Sequence, residues 1–335
     1  MRERRADRQP KWASGLVERI LVPLDGSRLA ECVLPHAIAL ARIFDAELIL
    51  VRVQESLPGN HPRVDSLSWR LGKAEVEAYL RSTAERIAEV GVRVSTYAEQ
   101  GKCAEAVIEA ARRHGAGLIA LSSHGRGGET PFRLGSTAQK LIDSATTSVL
   151  LVRARQEPLR DDWNTCPYRR ILVAVDGSPR SEWALSLAAG MAERAQAELL
   201  LAQVVPVPEL VVRHPPSTEE EELRESLVET NRRAALDYLE ALRCRCANEN
   251  TPVRTRLEVS EHAAETIEDL CDEEDVDLVV INAHGRGCGP ASRLHGRFAD
   301  QLLHQGRHTT LLFQDLPAQS AESFEAGHAA LGRGA

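Results

Sequence analysis

The sequence has no long apolar run, no excess of positive charge and no complete metal-binding cysteine pattern. A membrane-spanning helix needs about 20 consecutive apolar residues, and no stretch of this 335-residue chain approaches that length. The net charge is −8, which argues against nucleic acid as a partner, because domains that bind nucleic acid present a basic face. These absences favour a globular protein without a membrane span.

The seven cysteines are irregularly spaced. Cys244 and Cys246 form a C-x-C pair in a helical stretch, which places them on different helix faces. No second cysteine or histidine pair completes a zinc pattern, so reduced thiols in a cytoplasmic protein are expected. The charged N-terminal segment MRERRADRQPK is followed by no apolar segment, so a secretory signal is not expected.

The chain carries the same pattern twice. The segment ILVPLDGS at residues 20–27 matches ILVAVDGS at residues 171–178. About a hundred residues after each, SSHGRGG at residues 122–128 matches NAHGRGC at residues 282–288. An internal repeat of this length indicates a tandem duplication of one structural unit.

The repeat divides the chain into two domains of ordinary size. We assign the first domain to residues 17–153 and the second to residues 168–314. We expect residues 154–169 to be a linker, and residues 1–16 and 315–335 to be flexible tails.

Short apolar segments alternate with amphipathic segments in both halves. The alternation βαβαβαβ-loop-αβ predicts, in each half, a doubly wound α/β fold with a five-stranded parallel sheet and helices on both faces. In the first half we expect one helix after Ser27, kinked at Pro35, and a long helix over Leu71–Val90 that follows a loop at 57–68. The last apolar segments, at 148–152 and 309–313, would each form an exposed sheet edge, which soluble proteins avoid.

A spaced glycine pattern follows the fourth predicted strand of the first half. Ser122-x-x-Gly125 is followed by nine residues and then by Gly135-Ser136 at a helix start. Glycines let a phosphate approach the backbone, and the amides of residues 135–138 would point out of a helix N-terminus, which favours anions. Arg126 adds a positive charge nearby. The pattern predicts a phosphate site, although it is neither a Walker P-loop nor a G-x-G-x-x-G fingerprint.

These motifs resemble the universal stress protein family over both repeats. The I-L-V-P-x-D-G-S opening, the S-x-H-G-R-G-G stretch, the spaced G-S and the terminal apolar strand carry the resemblance. It implies the adenine-nucleotide alpha-hydrolase-like fold and, in the family's nucleotide-binding branch, ATP held by G-x-x-G, nine residues and G-[ST]. Ser122 departs from that pattern, because it stands at the position of the first glycine.

The resemblance also implies a role for each matching residue. The adenine is expected beside Pro23, Asp25 and Val53. The ribose and phosphates are expected near Leu121 and Ser122, with the phosphates in a cradle of Gly125, Gly135, Ser136 and Thr137. Family dimers pair their last strands antiparallel across a two-fold axis. The two repeats are therefore expected to pair Val149–Val152 with Leu311–Phe313 as an intramolecular pseudo-dimer, and a further homodimer is left open.

The second repeat departs further from the pattern. Asn282 replaces the first glycine, ten residues separate Gly285 from Gly296, and Arg297 replaces the hydroxyl residue. The extra loop residue shifts the amides that must converge on phosphate, so we favour a degenerate, structural repeat. The alternative is that Arg297 pairs with a phosphate, as arginine does well.

The sequence predicts a cytoplasmic stress-response protein. Its first repeat would bind ATP or a related adenine nucleotide, with Mg²⁺ arriving on the nucleotide, and the chain would act as a sensor or regulator of an unknown partner protein. No activated nucleophile or metal-binding carboxylate pair is evident, so at most slow ATP hydrolysis is expected. Two alternatives stay open: an interaction module of the same fold that binds no nucleotide, and an adenine-nucleotide enzyme.

Overall fold

The structure, a computed structural model, describes residues 17–55, 66–125, 134–154, 162–208, 217–249, 251–285 and 295–314, with the backbone alone at residues 66–70. The tails expected at 1–16 and 315–335 lie outside these residues, as does most of the loop expected at 57–68.

Strands and helices alternate along both halves. The elements of the first half are β1 (Arg19–Pro23), α1 (Arg28–Glu31), α2 (Leu34–Phe44), β2 (Glu47–Gln54), α3 (Ser66–Glu89), β3 (Val94–Gln100), α4 (Cys103–Arg113), β4 (Leu118–Ser122), α5 (Ser136–Ser144) and β5 (Ser148–Val152). Those of the second half are β6 (Arg170–Ala174), α6 (Pro179–Ala195), β7 (Glu198–Val205), α7 (Thr218–Cys246), β8 (Val253–Val259), α8 (Ala263–Glu273), β9 (Leu278–Asn282), α9 (Arg297–Gln305) and β10 (Thr310–Phe313).

The strands form one continuous ten-stranded sheet in the order β3-β2-β1-β4-β5-β10-β9-β6-β7-β8. Within each half all pairs are parallel. The halves meet where β10 pairs antiparallel with β5, with Leu312 opposite Val149 and Leu311 opposite Leu150. The predicted α/β fold and the pairing of the last strands are therefore confirmed, and both seam strands are fully buried.

The sheet has an apolar core on each face. Alternate residues of a strand point to opposite faces, so Val22 packs with α2 and α3 on one face, and Leu21 packs with α4 and α5 on the other. The helices α6 and α7 continue the first core, and α8 and α9 continue the second. Strands that are buried on both faces have nearly continuous apolar sequences. The central strands could therefore be predicted from the sequence.

Two helix starts differ from the sequence prediction. The single kinked helix after Ser27 is in fact two helices, α1 and α2. Pro35 lies in the first turn of α2, where the missing N–H leaves no hydrogen bond unmade. The long helix α3 starts at Ser66, so residues 66–68 are helical rather than part of the loop, and the helix begins five residues before the predicted Leu71.

The second part of the predicted linker packs against the body of the protein. Trp163 and Tyr168 are buried, and the Tyr168 hydroxyl lies 3.2 Å from Nδ1 of His36. Arg42 donates a 2.9 Å hydrogen bond to the Trp163 carbonyl. The described part of this predicted linker, residues 162–169, is therefore held against the first repeat by two buried aromatic side chains.

The described residues contain no group of histidine, cysteine or acidic side chains arranged to hold a metal ion. Their helices include none that is both long enough and apolar enough to cross a membrane. Six cysteines lie in the described ranges, and all six are free thiols.

Candidate functional site

Three neighbouring strands of the first repeat end at one edge of the sheet. β1 pairs in parallel with both β2 and β4, and the three strands end at Pro23, Gln54 and Ser122. The order of the strands reverses between β1 and β4. In open α/β sheets ligands bind in the crevice at such a switch point, beyond the carboxyl ends of the strands. The fold therefore brings Pro23, Val53 and Ser122 to one edge of the sheet.

Asp25 and Gly125 are in close contact across this crevice. One carboxylate oxygen of Asp25 accepts a 2.8 Å hydrogen bond from the Ser27 amide, which fixes the turn after β1. The other oxygen faces Gly125 so closely that a β-carbon there would overlap it. Gly125 is therefore needed for the loop after β4 to approach the loop after β1.

The N-terminus of α5 faces the same crevice. Gly135 is its N-cap, and no side chain of the described residues caps the helix. The Gly135 amide is not available to a ligand, contrary to the sequence expectation, because it donates a 2.9 Å hydrogen bond to the Ser123 carbonyl. The amides of Ser136, Thr137 and Ala138 are left to present the positive end of the helix dipole.

The hydroxyl of Ser122 is engaged inside its own turn. Its oxygen donates a 2.9 Å hydrogen bond to the His124 carbonyl and accepts a 3.3 Å hydrogen bond from the His124 amide. The Cys32 thiol donates a third hydrogen bond to it, at 3.4 Å. The serine thus closes a turn that a glycine would leave without side-chain bonds.

The neighbouring residues Ser123 and His124 are buried and join the two strand ends. The Ser123 hydroxyl lies 3.0 Å from Nδ1 of His124 and accepts a 3.0 Å hydrogen bond from the Ala154 amide. Nε2 of His124 is buried with no hydrogen-bond partner in the described chain. These contacts make His124 part of the turn that follows β4.

The apolar residues predicted for the adenine, Pro23 and Val53, are half-buried at the ends of β1 and β2. Leu121, predicted near the ribose and phosphates, is buried at the end of β4. Arg126, the predicted cation, lies outside the described residues.

Cys103 belongs to the crevice, although sequence reasoning did not single it out. It is the first residue of α4, which begins at the same edge of the sheet. Burial raises the pKa of its thiol, the charges of Glu55 and Asp25 raise it further, and a hydrogen bond with the Thr137 side chain opposes them. A thiol with a raised pKa therefore lies beside Thr137 at the start of α5. The available signal was its place directly after Gly101-Lys102, where the loop after β3 enters a helix.

The second repeat has the same Asp–Gly contact and the same glycine N-cap as the first, but different residues begin its last helix. The carboxylate of Asp176 faces Gly285 as closely as Asp25 faces Gly125, and Gly296 is the N-cap of α9. The first residues of α9 are Arg297 and Phe298, however, in place of Ser136 and Thr137.

A second change concerns charge at α9. His295, immediately before the helix, is buried, and its pKa is lowered mainly by burial. Burial disfavours the protonated imidazole. At neutral pH His295 therefore adds no positive charge that would attract an anion. The protein is a doubly wound α/β fold with a candidate phosphate-binding edge in the first repeat.

Comparison with known sequences gives the family. The sequence profile of the universal stress protein family matches residues 17–153 and 167–314. The chain therefore belongs to the universal stress protein family and contains its domain twice.

Individual relatives agree with this assignment. A universal stress protein of Methanocaldococcus jannaschii is 31% identical over 142 residues, which cover 41% of this chain and 83% of the relative. One from Thermus aquaticus is 34% identical over 142 residues, covering 41% of this chain and all of the relative. Each relative thus corresponds to about one repeat.

Solved structures share the fold over nearly the full length. A universal stress protein from Archaeoglobus fulgidus superposes with a TM-score of 0.59 at 16% identity, covering 89% of this chain and 98% of the other. A functionally unknown protein from Pseudomonas aeruginosa gives 0.62 at 18% identity, covering 95% and 99%. At these identities the similarity concerns the fold alone.

Proposed function

We propose that the first repeat binds ATP or a related adenine nucleotide and that the second repeat is its degenerate partner. The observation that carries this proposal is the start of the last helix in each repeat. Small hydroxyl residues, Ser136 and Thr137, begin α5, whereas Arg297 and Phe298 begin α9. A phosphate must approach the first-turn amides closely, and large side chains at those positions obstruct that approach.

The residues of the first crevice fit a nucleotide in their donor chemistry. The uncapped amides of α5 and the hydroxyls of Ser136 and Thr137 would hold phosphate oxygens. Pro23 and Val53 would offer apolar surface to the base, next to the Asp25 carboxylate. Mg²⁺, when it arrives with the nucleotide, would neutralise part of the phosphate charge.

A binding role fits these residues better than a catalytic one. Ser27 caps α1, accepting a 3.1 Å hydrogen bond from the Ala30 amide, and Ser122 is engaged in its turn. Both hydroxyls are thus engaged in the local hydrogen bonds of a helix cap and a turn, which are structural roles. The proposed role is therefore a cytoplasmic sensor or regulator, whose surface for a partner protein changes with occupancy.

A second candidate is an interaction module that binds no nucleotide. The observation in its favour is Ser122, whose side chain stands where the nucleotide-binding pattern has a glycine and is held in the turn by three hydrogen bonds. The two candidates differ in one measurable property, the affinity of the first repeat for nucleotide.

A matched pair of variants tests the proposal. Gly135→Val adds bulk at the start of α5 and is compatible with the extended backbone of an N-cap, and Gly296→Val makes the same change at α9. In calorimetry with MgATP, we expect Gly135→Val to weaken binding at least tenfold and Gly296→Val to leave it unchanged. Equal effects of the two variants would reject the assignment to the first repeat, and no binding by the unmodified protein would favour the interaction module.

A further inference from the structure

The two outermost strands of the ten-stranded sheet are β3 and β8, one from each repeat. Among the described residues β3 pairs with β2 alone, and β8 pairs with β7 alone. An outermost strand leaves a row of backbone N–H and C=O groups without a neighbouring strand, and such a row can bind a further strand. Each of these two strands is therefore a place where a second polypeptide could extend the sheet.

The backbone hydrogen bonds show which groups of β3 are directed away from the sheet. The Leu48 amide donates a 2.8 Å hydrogen bond to the Arg93 carbonyl, and the Gly101 amide donates one of 3.3 Å to the Gln54 carbonyl. Consecutive residues of a strand direct their N–H and C=O groups to opposite sides, so the odd-numbered residues of this segment bind β2. The even-numbered residues in the range 94–100 therefore direct their backbone groups away from β2.

The exposed middle of β3 carries no charge. Thr96, Tyr97 and Ala98 are exposed, and the one charged residue of the strand is Glu99, near its C-terminal end. Soluble proteins commonly protect an outermost strand against pairing with charged side chains, prolines or bulges. The middle of β3 has no charge or proline that would oppose a partner strand.

β3 is complementary to a second copy of itself in one antiparallel register. When Thr96 lies opposite Thr96 of the second copy, Val94 lies opposite Ala98, and these residues exchange the backbone hydrogen bonds that face outwards. The same register places Arg93 opposite Glu99, once on each side of the two-fold axis. Cross-strand pairs of opposite charge and Thr–Thr pairs both stabilise antiparallel strands.

The charges favour this register over its neighbours. A shift of the second copy by two residues in either direction keeps the outward-facing backbone groups paired. It sets Arg93 opposite Tyr97 or Gly101, however, and the pair of opposite charges is lost. The register with Thr96 on the two-fold axis is therefore the one that matches both the backbone groups and the charges.

The partners that these charged residues already have fit the same arrangement. Arg93 lies 3.4 Å from Asp45, and Glu99 lies 2.8 Å from Arg113. Pairing of the two strands would bring the Arg93–Asp45 pair of one copy next to the Glu99–Arg113 pair of the other. The four side chains would then form a row of alternating charge, so no existing ion pair has to break.

The other outermost strand is not complementary to itself in the equivalent register. β8 has Thr255 at the place of Thr96, with Arg254 and Arg256 on either side. Pairing about Thr255 would set Arg254 opposite Arg256 of the second copy, and like charges that lie directly opposite each other destabilise a sheet. Both arginines are also bound within their own repeat, because they donate hydrogen bonds to Glu274.

We propose that two copies of the chain associate through β3, antiparallel and with Thr96 on the two-fold axis, so that their two sheets join into one. Both copies use the same surface, so the association closes at the dimer. The interface lies at the opposite end of the first repeat's sheet from the seam between β5 and β10. The proposal does not depend on nucleotide binding.

A matched pair of proline variants tests which strand pairs. Thr96→Pro removes an outward-facing N–H and keeps the hydrogen bonds between β3 and β2, so we expect the fold to survive. Thr255→Pro makes the same change on β8, where the Leu199 amide bonds to the Pro252 carbonyl and the odd-numbered residues therefore face outwards. Sedimentation equilibrium over a range of protein concentrations, without nucleotide, measures the dissociation constant of the dimer, and circular dichroism checks the fold of each variant.

We expect the unmodified protein and Thr255→Pro to form dimers with the same dissociation constant, and Thr96→Pro to weaken the dimer at least tenfold. A monomeric unmodified protein would overturn the proposal and would leave β3 to a strand of a different protein. Equal effects of the two proline variants, or a loss confined to Thr255→Pro, would also overturn it.

A pair of charge variants tests the register. Arg93→Glu and Glu99→Arg each set like charges opposite each other in the dimer, so each variant alone is expected to be monomeric. Mixed in equal amounts, the two variants should form a heterodimer, because each position 93 then faces the opposite charge at position 99. Failure of the mixture to associate, or dimers of either variant alone that are as tight as those of the unmodified protein, would reject the proposed pairing.

Discussion

Asp25 and Asp176 make the same contact with a glycine, one in each repeat. In both places a side chain on the glycine would overlap the carboxylate, so the Asp–Gly pair fixes two loops against each other whether or not a ligand binds. The two crevices differ instead at the start of the last helix. Ser136 and Thr137 begin α5, whereas Arg297 and Phe298 begin α9. The Asp–Gly contact is therefore a feature of the shared fold, and the two repeats differ in the residues that begin the last helix.

The sequence allows the glycines and Arg297 to be predicted, because they belong to a spaced motif that can be read along the chain. Phe298 directly follows Arg297 at the position of Thr137, so it too can be read from the motif, whereas the contribution of Cys103 cannot. Cys103 meets Thr137 only because α4 and α5 begin side by side at one edge of the sheet, and such proximity is a property of the fold.

Glu274 gives a prediction on pH. The hydrogen bonds of Arg256, and then those of Arg254, hold the pKa of this carboxyl below its ordinary value against an opposing effect of burial. A depressed folded-state pKa stabilises the protein above the unfolded-state pKa, and the stabilisation is lost as pH falls through the folded-state value. Glu274→Gln should therefore destabilise the protein at pH 7, by roughly 1–3 kcal/mol, and by much less near pH 3.

Urea unfolding of Glu274→Gln at these two pH values measures the effect. The control is Glu273→Gln, because Glu273 is the exposed neighbour of Glu274 on α8. A penalty that is as large in acid as at neutral pH would show that packing, rather than charge, is the contribution of Glu274.

At the scale of elements, β5 and β10 join the two repeats into one sheet. Their pairing could be predicted because both segments are wholly apolar and neither has a later strand in its own repeat. The anchoring of residues 162–169 could not, since that stretch is polar apart from a few aromatic residues. Tyr168 is buried in the core of the folded protein, where its ring and hydroxyl contact His36 of the first repeat.

Leu151→Pro tests the seam. Leu151 is fully buried and pairs with both Thr310 and Leu121. Proline removes a backbone donor and fits poorly in a central strand, so we expect both repeats to expose an edge strand and the protein to aggregate. Light scattering of the purified protein and of the refolding mixture measures this aggregation.

Leu151→Ala is the matched control for the seam. It removes side-chain packing, at a cost of about 2–5 kcal/mol, and keeps the backbone donor. We expect it to be less stable but monodisperse. If Leu151→Pro is as monodisperse as Leu151→Ala, the seam does not protect the two edges.

At the scale of the whole molecule, the two repeats differ at both edges of the sheet. The first repeat has a crevice lined by hydroxyl residues at the carboxyl edge and a surface depression beside His114 at the amino edge. At the equivalent places the second repeat has Arg297 and Phe298, and the arginine-bound carboxylate of Glu274. The two repeats thus share one sheet and differ in the residues at both of its edges.

The measurement that tests this account most directly is the stoichiometry of nucleotide binding by the full chain, from native mass spectrometry with MgATP. The account predicts one nucleotide per chain, because only the first repeat begins its last helix with small hydroxyl residues. It also predicts that Gly135→Val abolishes this complex and that Gly296→Val does not. Two equivalent nucleotides per chain, or none, would contradict it.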